Sequence, residues 1–314
     1  MRRHKGYRGL APTDRGAAVA IGNFDGVHLG HRSLLALARA EAERLGAPLG
    51  VVTFSPHPRR FFQPDGPPFR LQDDDGRARR LAGLGVEQLY ELPFDAELAG
   101  LSAEDFLSEV LAGALGVRHL AAGSDFHFGK GRRGTCAMAA EIGPALGIGI
   151  SVAPLLAVAG EEVSSTAIRV ALAEGRPEAA ARMLGDWHRI EGRVLHGDAR
   201  GRDLGFPTAN LALGELHRPR YGVYATLVDV LDGPHAGRWM GAASLGERPT
   251  FGRNAPNFEA HLLDFSGDLY GATISVALVA WLRPELKFDG IGPLVAQMER
   301  DVAETRALLA GVGA

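Results

Sequence analysis

Only one of the chain's 314 residues is cysteine, Cys136. It can form no internal disulfide and no cysteine-built zinc site, which are the frameworks that hold small secreted domains together. A reducing, cytoplasmic setting is therefore expected. A charge excess of either sign is also missing: 34 Lys and Arg face 37 Asp and Glu, for a formal net charge of −3. No broad basic field is available to gather nucleic acid or anionic lipid, so neither is expected as a partner. Long apolar runs are absent as well. The basic start Met1-Arg2-Arg3-His4 leads only to Ala17–Ile21, too short for a signal-peptide core, and no stretch is long and uncharged enough to span a bilayer. The expected partners are small molecules.

What the chain does have is bulk and rhythm. Its 46% apolar content allows a sizeable core, and at roughly 100–200 residues per domain two domains are expected. In the first half, apolar runs at Ala17–Ile21, Pro48–Phe54, Val86–Leu92, His119–Gly123 and Ile148–Pro154 read as strands. They alternate with helical spacing over Ser33–Leu45, Asp73–Leu84 and Ser102–Leu115, the last opened by a capping box of Ser102 and Asp105. This alternation predicts an α/β domain with a parallel, Rossmann-like sheet whose ligands sit beyond the carboxyl ends of the strands. Pro177–Leu184 reads as its last helix. After Gly185, strand-like runs at Arg189–Leu195, Gly222–Leu231, Arg238–Ala243, Phe258–Asp264 and Thr273–Leu282 are parted by Gly, Pro and Asp. They predict an antiparallel sandwich or small barrel. A terminal helix over Gly292–Leu309 carries Leu294, Val295, Met298, Val302, Thr305 and Leu309 along one side. The expected domains are 1–186 and 187–314.

The motif Gly22-Asn23-Phe24-Asp25-Gly26-Val27-His28-Leu29-Gly30-His31 follows the first strand, and Ser33 is expected to open the helix after it. Gly22, Gly26 and Gly30 let the backbone approach a ligand, and a helix N-terminus offers unpaired N–H groups to an anion. His28 and His31 can address one ligand, donating to a triphosphate under attack. Taken alone, the pair also fits an ordinary turn with one surface and one core histidine. A helical zinc motif is disfavoured, because the i, i+4 pair and cysteine partners are lacking. Farther on, Ser164, Ser165 and Thr166 stand at an expected helix start with Arg169 one turn later, which suits an ordinary N-cap or a phosphate clamp. Gly129–Gly134 formally matches GxGxxG but is charged throughout and follows no strand directly, so no dinucleotide site is assigned to it.

In the second half, Gly197–Asn210 is polar and rich in glycine, as in a long surface hairpin. If this segment is extended, Thr208 and Asn210 share a face and offer a hydroxyl and an amide oxygen to one Mg²⁺, an ion that needs few protein ligands. The Gly-Lys-Ser/Thr ending of a Walker loop is absent. In the run Phe258–Asp264, Phe258, Ala260 and Leu262 face one way while Glu259 and His261 face the other. Glu259 is then either a solvated glutamate or a carboxylate placed to take a proton.

The ordered set GNFDGVHLGH, TFSPHP (Thr53–Pro58), GSDFHFGKGRRG (Gly123–Gly134) and SSTAIR (Ser164–Arg169) resembles the adenylyltransferase half of the bacterial bifunctional riboflavin kinase and FMN adenylyltransferase family, the FAD synthetases. PTAN (Pro207–Asn210), GERPTF (Gly246–Phe251), HLLDF (His261–Phe265), DLYG (Asp268–Gly271) and LRPELKF (Leu282–Phe288) follow in the order of the family's kinase half. The resemblance implies a nucleotidyltransferase domain followed by a six-stranded barrel with a C-terminal helix. It also implies phosphorylation of riboflavin by Mg-ATP and transfer of AMP from ATP to the FMN formed, giving FAD and pyrophosphate, with the FMN phosphate itself as nucleophile.

By that resemblance His28 and His31 contact the ATP phosphates, with Gly22, Phe24, Asp25, Gly26 and Gly30 around the nucleotide, while Ser164, Ser165, Thr166 and Arg169 hold it from the other side, Arg169 counted with the catalytic residues. Asp125, Phe126 and Arg283 are assigned to flavin, Gly201, Gly205, Thr208 and Asn210 to Mg-ATP in the kinase, and Glu259 to the base. Ser55 and Ser244 depart from the glutamate and asparagine usual in relatives. Two rival readings stay open: a first half that adenylylates another phosphate acceptor, such as nicotinamide mononucleotide or phosphopantetheine, and a non-catalytic flavin or nucleotide sensor.

Overall fold

The computed structural model describes residues 1–197, 204–247 and 256–312. The chain divides into two compact units, Met1–Pro67 with Asp74–Ser164, and Pro68–Asp73 with Ser165–Ala314. This division by packing does not coincide with a limit at residue 186. Helices Ser165–Ala173 and Pro177–Leu184 fall in the second unit, where the Leu172 carbonyl accepts from the Arg220 N–H and the Arg70 carbonyl from the His217 N–H.

The first unit holds strands β1 (Arg2–Lys5), β2 (Ala18–Ile21), β3 (Leu49–Ser55), β4 (Gln88–Pro93), β5 (His119–Gly123) and β6 (Gly149–Ala153) in one sheet of order β1-β4-β3-β2-β5-β6. Every pairing in it is parallel, as the alternation of strands and helices predicts; after it, β7 (Ala157–Val158) and β8 (Glu161–Glu162) pair antiparallel as a separate two-stranded sheet. The central strand β2 is buried on both faces. Its Ala18 and Ala20 pack with Leu34, Leu35 and Ala38, while Val19 and Ile21 pack with Leu107 and Leu111. The edge strand β1 is basic and carries no apolar signal. Arg3 satisfies its charge there on the buried Glu91 of β4, at 2.6 Å. From β2 the chain builds β3 and β4 on one side and then returns to place β5 on the other. The resulting switch point lies at the carboxyl ends of β2 and β5, where open α/β sheets bind ligands.

Helix α1 (Leu29–Leu45) begins four residues before the expected Ser33, with His28 rather than a serine as its N-cap. An imidazole nitrogen can serve as the cap acceptor, which residue preferences drawn from Ser, Thr, Asp and Asn do not anticipate. The Ser102 cap is formed as expected: its Oγ accepts from the Asp105 N–H at 3.0 Å. Among the described residues no helix is long and apolar enough to cross a membrane.

In the second unit, β9 (His188–Arg193), β10 (Ala209–Leu211), β11 (Gly222–Val230), β12 (Gly237–Glu247), β13 (Pro256–Leu262) and β14 (Thr273–Arg283) form an antiparallel sheet of order β10-β13-β12-β11-β14-β9. A bridge from Leu195 to Asn210, with the Leu195 N–H donating at 2.9 Å, joins the two edge strands and curls the sheet into a barrel. Tyr224, Phe258, Ala260, Ile274, Val276 and Leu278 fill its core. Five of these strands were legible as apolar runs; β10, inside the polar PTAN segment, was not. The terminal helix Ile291–Leu309 buries Asp301, Thr305 and Leu309. Leu294, Val295, Met298 and Val302, expected on its packed side, are only half-buried. Part of the anchor is polar: Arg283 grips Asp301 with both Nε and Nη2, at 2.8 and 2.7 Å.

Candidate active sites

At the exit of β2 the backbone turns through left-handed conformations at Phe24 (φ 51°), Gly26 (φ 88°) and Val27 (φ 44°). A β-branched residue at positive φ is strained, and such strain persists only where its surroundings over-determine it. Here Phe24, Asp25, Val27 and His28 are all buried, and the Asn23 carbonyl accepts from Thr53 Oγ1 at 3.1 Å and Arg77 Nη1 at 3.5 Å. The guanidinium of Arg77 is fully buried and paired to Glu91 at 2.9 Å and Asp74 at 3.0 Å. Ser55, the departure from glutamate, donates to Asp74 at 2.7 Å.

The turn delivers two stacked imidazoles to the N-terminus of α1, with ring centroids 3.6 Å apart. His28 Nδ1 accepts from the His31 N–H at 3.3 Å. That nitrogen is therefore unprotonated, and the neutral ring carries its proton on Nε2, an assignment made from the hydrogen bond. Gly30 lies against this ring: a Cβ there would stand 3.2 Å from His28 Cε1 and Nδ1. His31 leans on Phe24 at 4.8 Å. Its Nδ1 is sealed from solvent without a hydrogen-bond partner, and burial, then the neighbouring His28, holds its pKa well below the ordinary histidine range. A neutral ring pair at a helix N-terminus, with Nε2–H of His28 as a donor, suits the arrival of an anion.

At the carboxyl end of β5, across the switch point, Phe126 is half-buried and stacked on Phe128 at 5.7 Å, while Asp125 is exposed. Ser164 ends the first unit; Ser165, Thr166 and Arg169 belong to the second. There Arg169 Nε donates to the Phe69 carbonyl at 2.7 Å, and the guanidinium lies 5.6 Å from the Phe69 ring centroid.

On the barrel, β13 carries the other set. Glu259 stands directly across the ladder from Asn210 on one side and Ser244 on the other, so the three side chains share a face. The opposite face, with Phe258 and Ala260, is fully buried, as the alternation predicts. Thr208 Oγ1 donates to Glu259 Oε2 at 3.2 Å, and Asn257 Nδ2 donates to Oε1. Asn210 Nδ2 lies 3.4 Å from the Thr208 carbonyl, and His261 Nδ1 lies 2.8 Å from the Pro207 carbonyl, pinning the PTAN segment.

Because Thr208 gives its proton to Glu259, its oxygen lone pairs are left to face a cation. Among the described residues no group of three or more His, Cys, Asp or Glu could hold a metal, so an ion here would rest on hard oxygens and substrate phosphates. That donor set fits Mg²⁺. Gly205 takes φ 83°, and Arg283 has a partner at each nitrogen, Asp301 for two and the Pro284 carbonyl for Nη1. Gly201 and the Arg248–Phe251 part of GERPTF lie outside the described residues. Asn257, His261, Thr53 and Arg77 were given no role from the sequence. The period-two pattern of β13 could have flagged the first two, but nothing in the charged run around Arg77 marks it as buried.

A family profile described as FAD synthetase matches residues 10–167, and one described as riboflavin kinase matches residues 184–309. A Pseudomonas fluorescens protein named bifunctional riboflavin kinase/FMN adenylyltransferase is 43% identical over 310 residues, covering 98% of this chain and 97% of that one. An Escherichia coli (strain K12) protein of the same name is 40% identical, covering 93% and 92%. A Streptococcus pneumoniae crystal structure, described as a macrolide-efflux protein, superposes with a TM-score of 0.83 at 31% identity and covers 97% and 98%. With both profiles matched in order and relatives aligned from end to end, the chain belongs to the bifunctional riboflavin kinase/FMN adenylyltransferase family.

Proposed function

We propose that this protein makes FAD from riboflavin in two steps, phosphorylating riboflavin with ATP and then transferring AMP from a second ATP to the FMN formed. The observation that carries the reading is the row on β13, where Glu259 stands opposite Asn210 with its carboxylate held by Thr208 and Asn257. In the kinase step a ribityl hydroxyl attacks the γ-phosphorus of ATP and ADP leaves. Glu259 accepts the hydroxyl proton. Thr208 and Asn210 would hold Mg²⁺, which when bound neutralises phosphate charge.

In the adenylylation step an FMN phosphate oxygen attacks the α-phosphorus and pyrophosphate departs. No covalent enzyme intermediate is needed, so catalysis is positioning and charge stabilisation. His28 donates from Nε2–H to a phosphate oxygen at the N-terminus of α1, and His31 supplies a second ring nitrogen. Ser164, Ser165, Thr166 and Arg169 clamp the nucleotide, and Asp125 and Phe126 contact the flavin. Arg283 is assigned to flavin on the barrel side. Residues 1–186 carry adenylylation and 187–314 the kinase, in the cytoplasm, with small molecules rather than nucleic acid or membrane as partners.

The test supplies riboflavin and Mg-ATP and separates FMN and FAD by chromatography. Both should form. Glu259→Gln should lower FMN formation by roughly 10²- to 10⁴-fold while FAD still forms from added FMN, and His28→Ala should do the reverse. Folded protein that makes neither product would overturn the proposal.

A further inference from the structure

Asn257 lies two residues before Glu259 on β13, so its side chain leaves the same face of the strand. Its partner across the ladder is Gly246, which has no side chain to compete for that face. The space above Gly246 is taken instead by the Glu285 carboxylate, which a Cβ at 246 would strike. The Asn257 amide, a neutral donor, therefore sits on a face that carries two acids. Its Nδ2 donates to Glu259 Oε1, while Thr208 Oγ1 donates to Oε2 at 3.2 Å.

A carboxylate tied at one oxygen can still rotate about its terminal torsion, which is broad and soft. Tied at both oxygens, by Asn257 of β13 and by Thr208 just before β10, it keeps one plane. We infer that Asn257 is a positioning residue for the kinase step: its amide holds Glu259 Oε1 so that the carboxylate is already oriented when the ribityl hydroxyl arrives. This rests on the reading of Glu259 as the base. Asn257 itself touches neither hydroxyl nor phosphate in this role, so its loss should slow turnover and leave substrate binding intact.

The experiment uses the full chain with riboflavin and Mg-ATP and compares Asn257→Leu, Asn257→Asp and Asn257→Gln. Leucine has similar bulk and no donor. Aspartate keeps the shape, loses the donor and adds a like charge. Glutamine keeps the donor one methylene farther out. Losing a hydrogen bond to a charged group predicts a fall in kcat of roughly 10- to 100-fold in the leucine variant. The KM for riboflavin should stay within about twofold, since uniform binding is untouched. Aspartate should fall at least as far, and glutamine should recover part of the loss. Flavin binding, read by fluorescence quenching, and FAD formation from added FMN should match the parent chain. If leucine does not fold, the aspartate and glutamine pair decides.

Parent-like kcat in the leucine or aspartate variant overturns the inference, as does a loss that appears only in KM or that glutamine fails to relieve. The two readings fail separately. Glu259→Gln with undiminished kinase activity removes the base and the inference with it, whereas an inactive Glu259→Gln beside a fully active Asn257→Asp removes only the role of Asn257.

Discussion

Gly30→Ala separates the role of the His28 ring from the stability of the turn that carries it. The added Cβ would lie 3.2 Å from two His28 ring atoms and 3.6 Å from the Val163 carbonyl oxygen. Position 30 lies in the first turn of α1, so alanine fits the backbone and gains up to about 1 kcal/mol of helix propensity over glycine. Against this, the ring must shift by a few tenths of an ångström, which strains the His31 N–H cap on Nδ1 and the stacking with His31. Losing a cap costs about 1 kcal/mol. The two contributions nearly cancel, so the thermal midpoint should move little.

Catalysis has no such cancellation. A donor displaced by as much as 1 Å can lose on the order of 10²-fold in rate, and a smaller shift should still lower FAD formation from FMN by about tenfold. Unfolding is read by calorimetry, and both reactions by product chromatography under Mg-ATP. Undiminished adenylylation, or an equal loss of the kinase, would refute the reasoning.

The barrel has a backbone counterpart in Gly222, at φ 144°, where a Cβ would lie 2.2 Å from the Arg283 carbonyl oxygen and 2.6 Å from Trp281 Nε1. Gly222→Ala should cost about 3 kcal/mol or more, seen as a lower unfolding temperature and lost FMN formation; a parent-like melting curve would contradict it. Acid should weaken the first unit through His31, whose folded pKa lies below the unfolded value of about 6.5. Its contribution is present at neutral pH and is lost as pH falls through about 6.5, because the unfolded chain then binds the extra proton. The loss runs at on the order of 1 kcal/mol per pH unit from there down toward the folded pKa. A denaturant series against pH should show a shallower fall in His31→Gln, and equal slopes would defeat the assignment. His119, also buried and lowered chiefly by desolvation, adds a fall of the same sign that the substitution leaves in place.

Much of the fold was legible because burial writes its period into the residues. β2, β3, β4 and β5 are apolar runs flanked by helical spacing, as a sheet covered on both faces requires. Where burial rests on polar pairing the signal disappears. β1 is an arginine-bearing edge paired to Glu91, and the terminal helix buries an aspartate under Arg283. The same limit hid the start of α1, since an imidazole cap leaves no mark in the usual residue preferences.

From sequence alone came the two-part α/β and barrel architecture, the family and its motif residues, because periodicity and motif order are properties of the chain itself. Only folding decided which atoms meet. β10 aligned Asn210 opposite Glu259, the strained turn stacked His28 on His31, and Asn257 came to hold the carboxylate. Register between strands and the direction of a ring nitrogen depend on packing across distant segments, and no local pattern of residues encodes them.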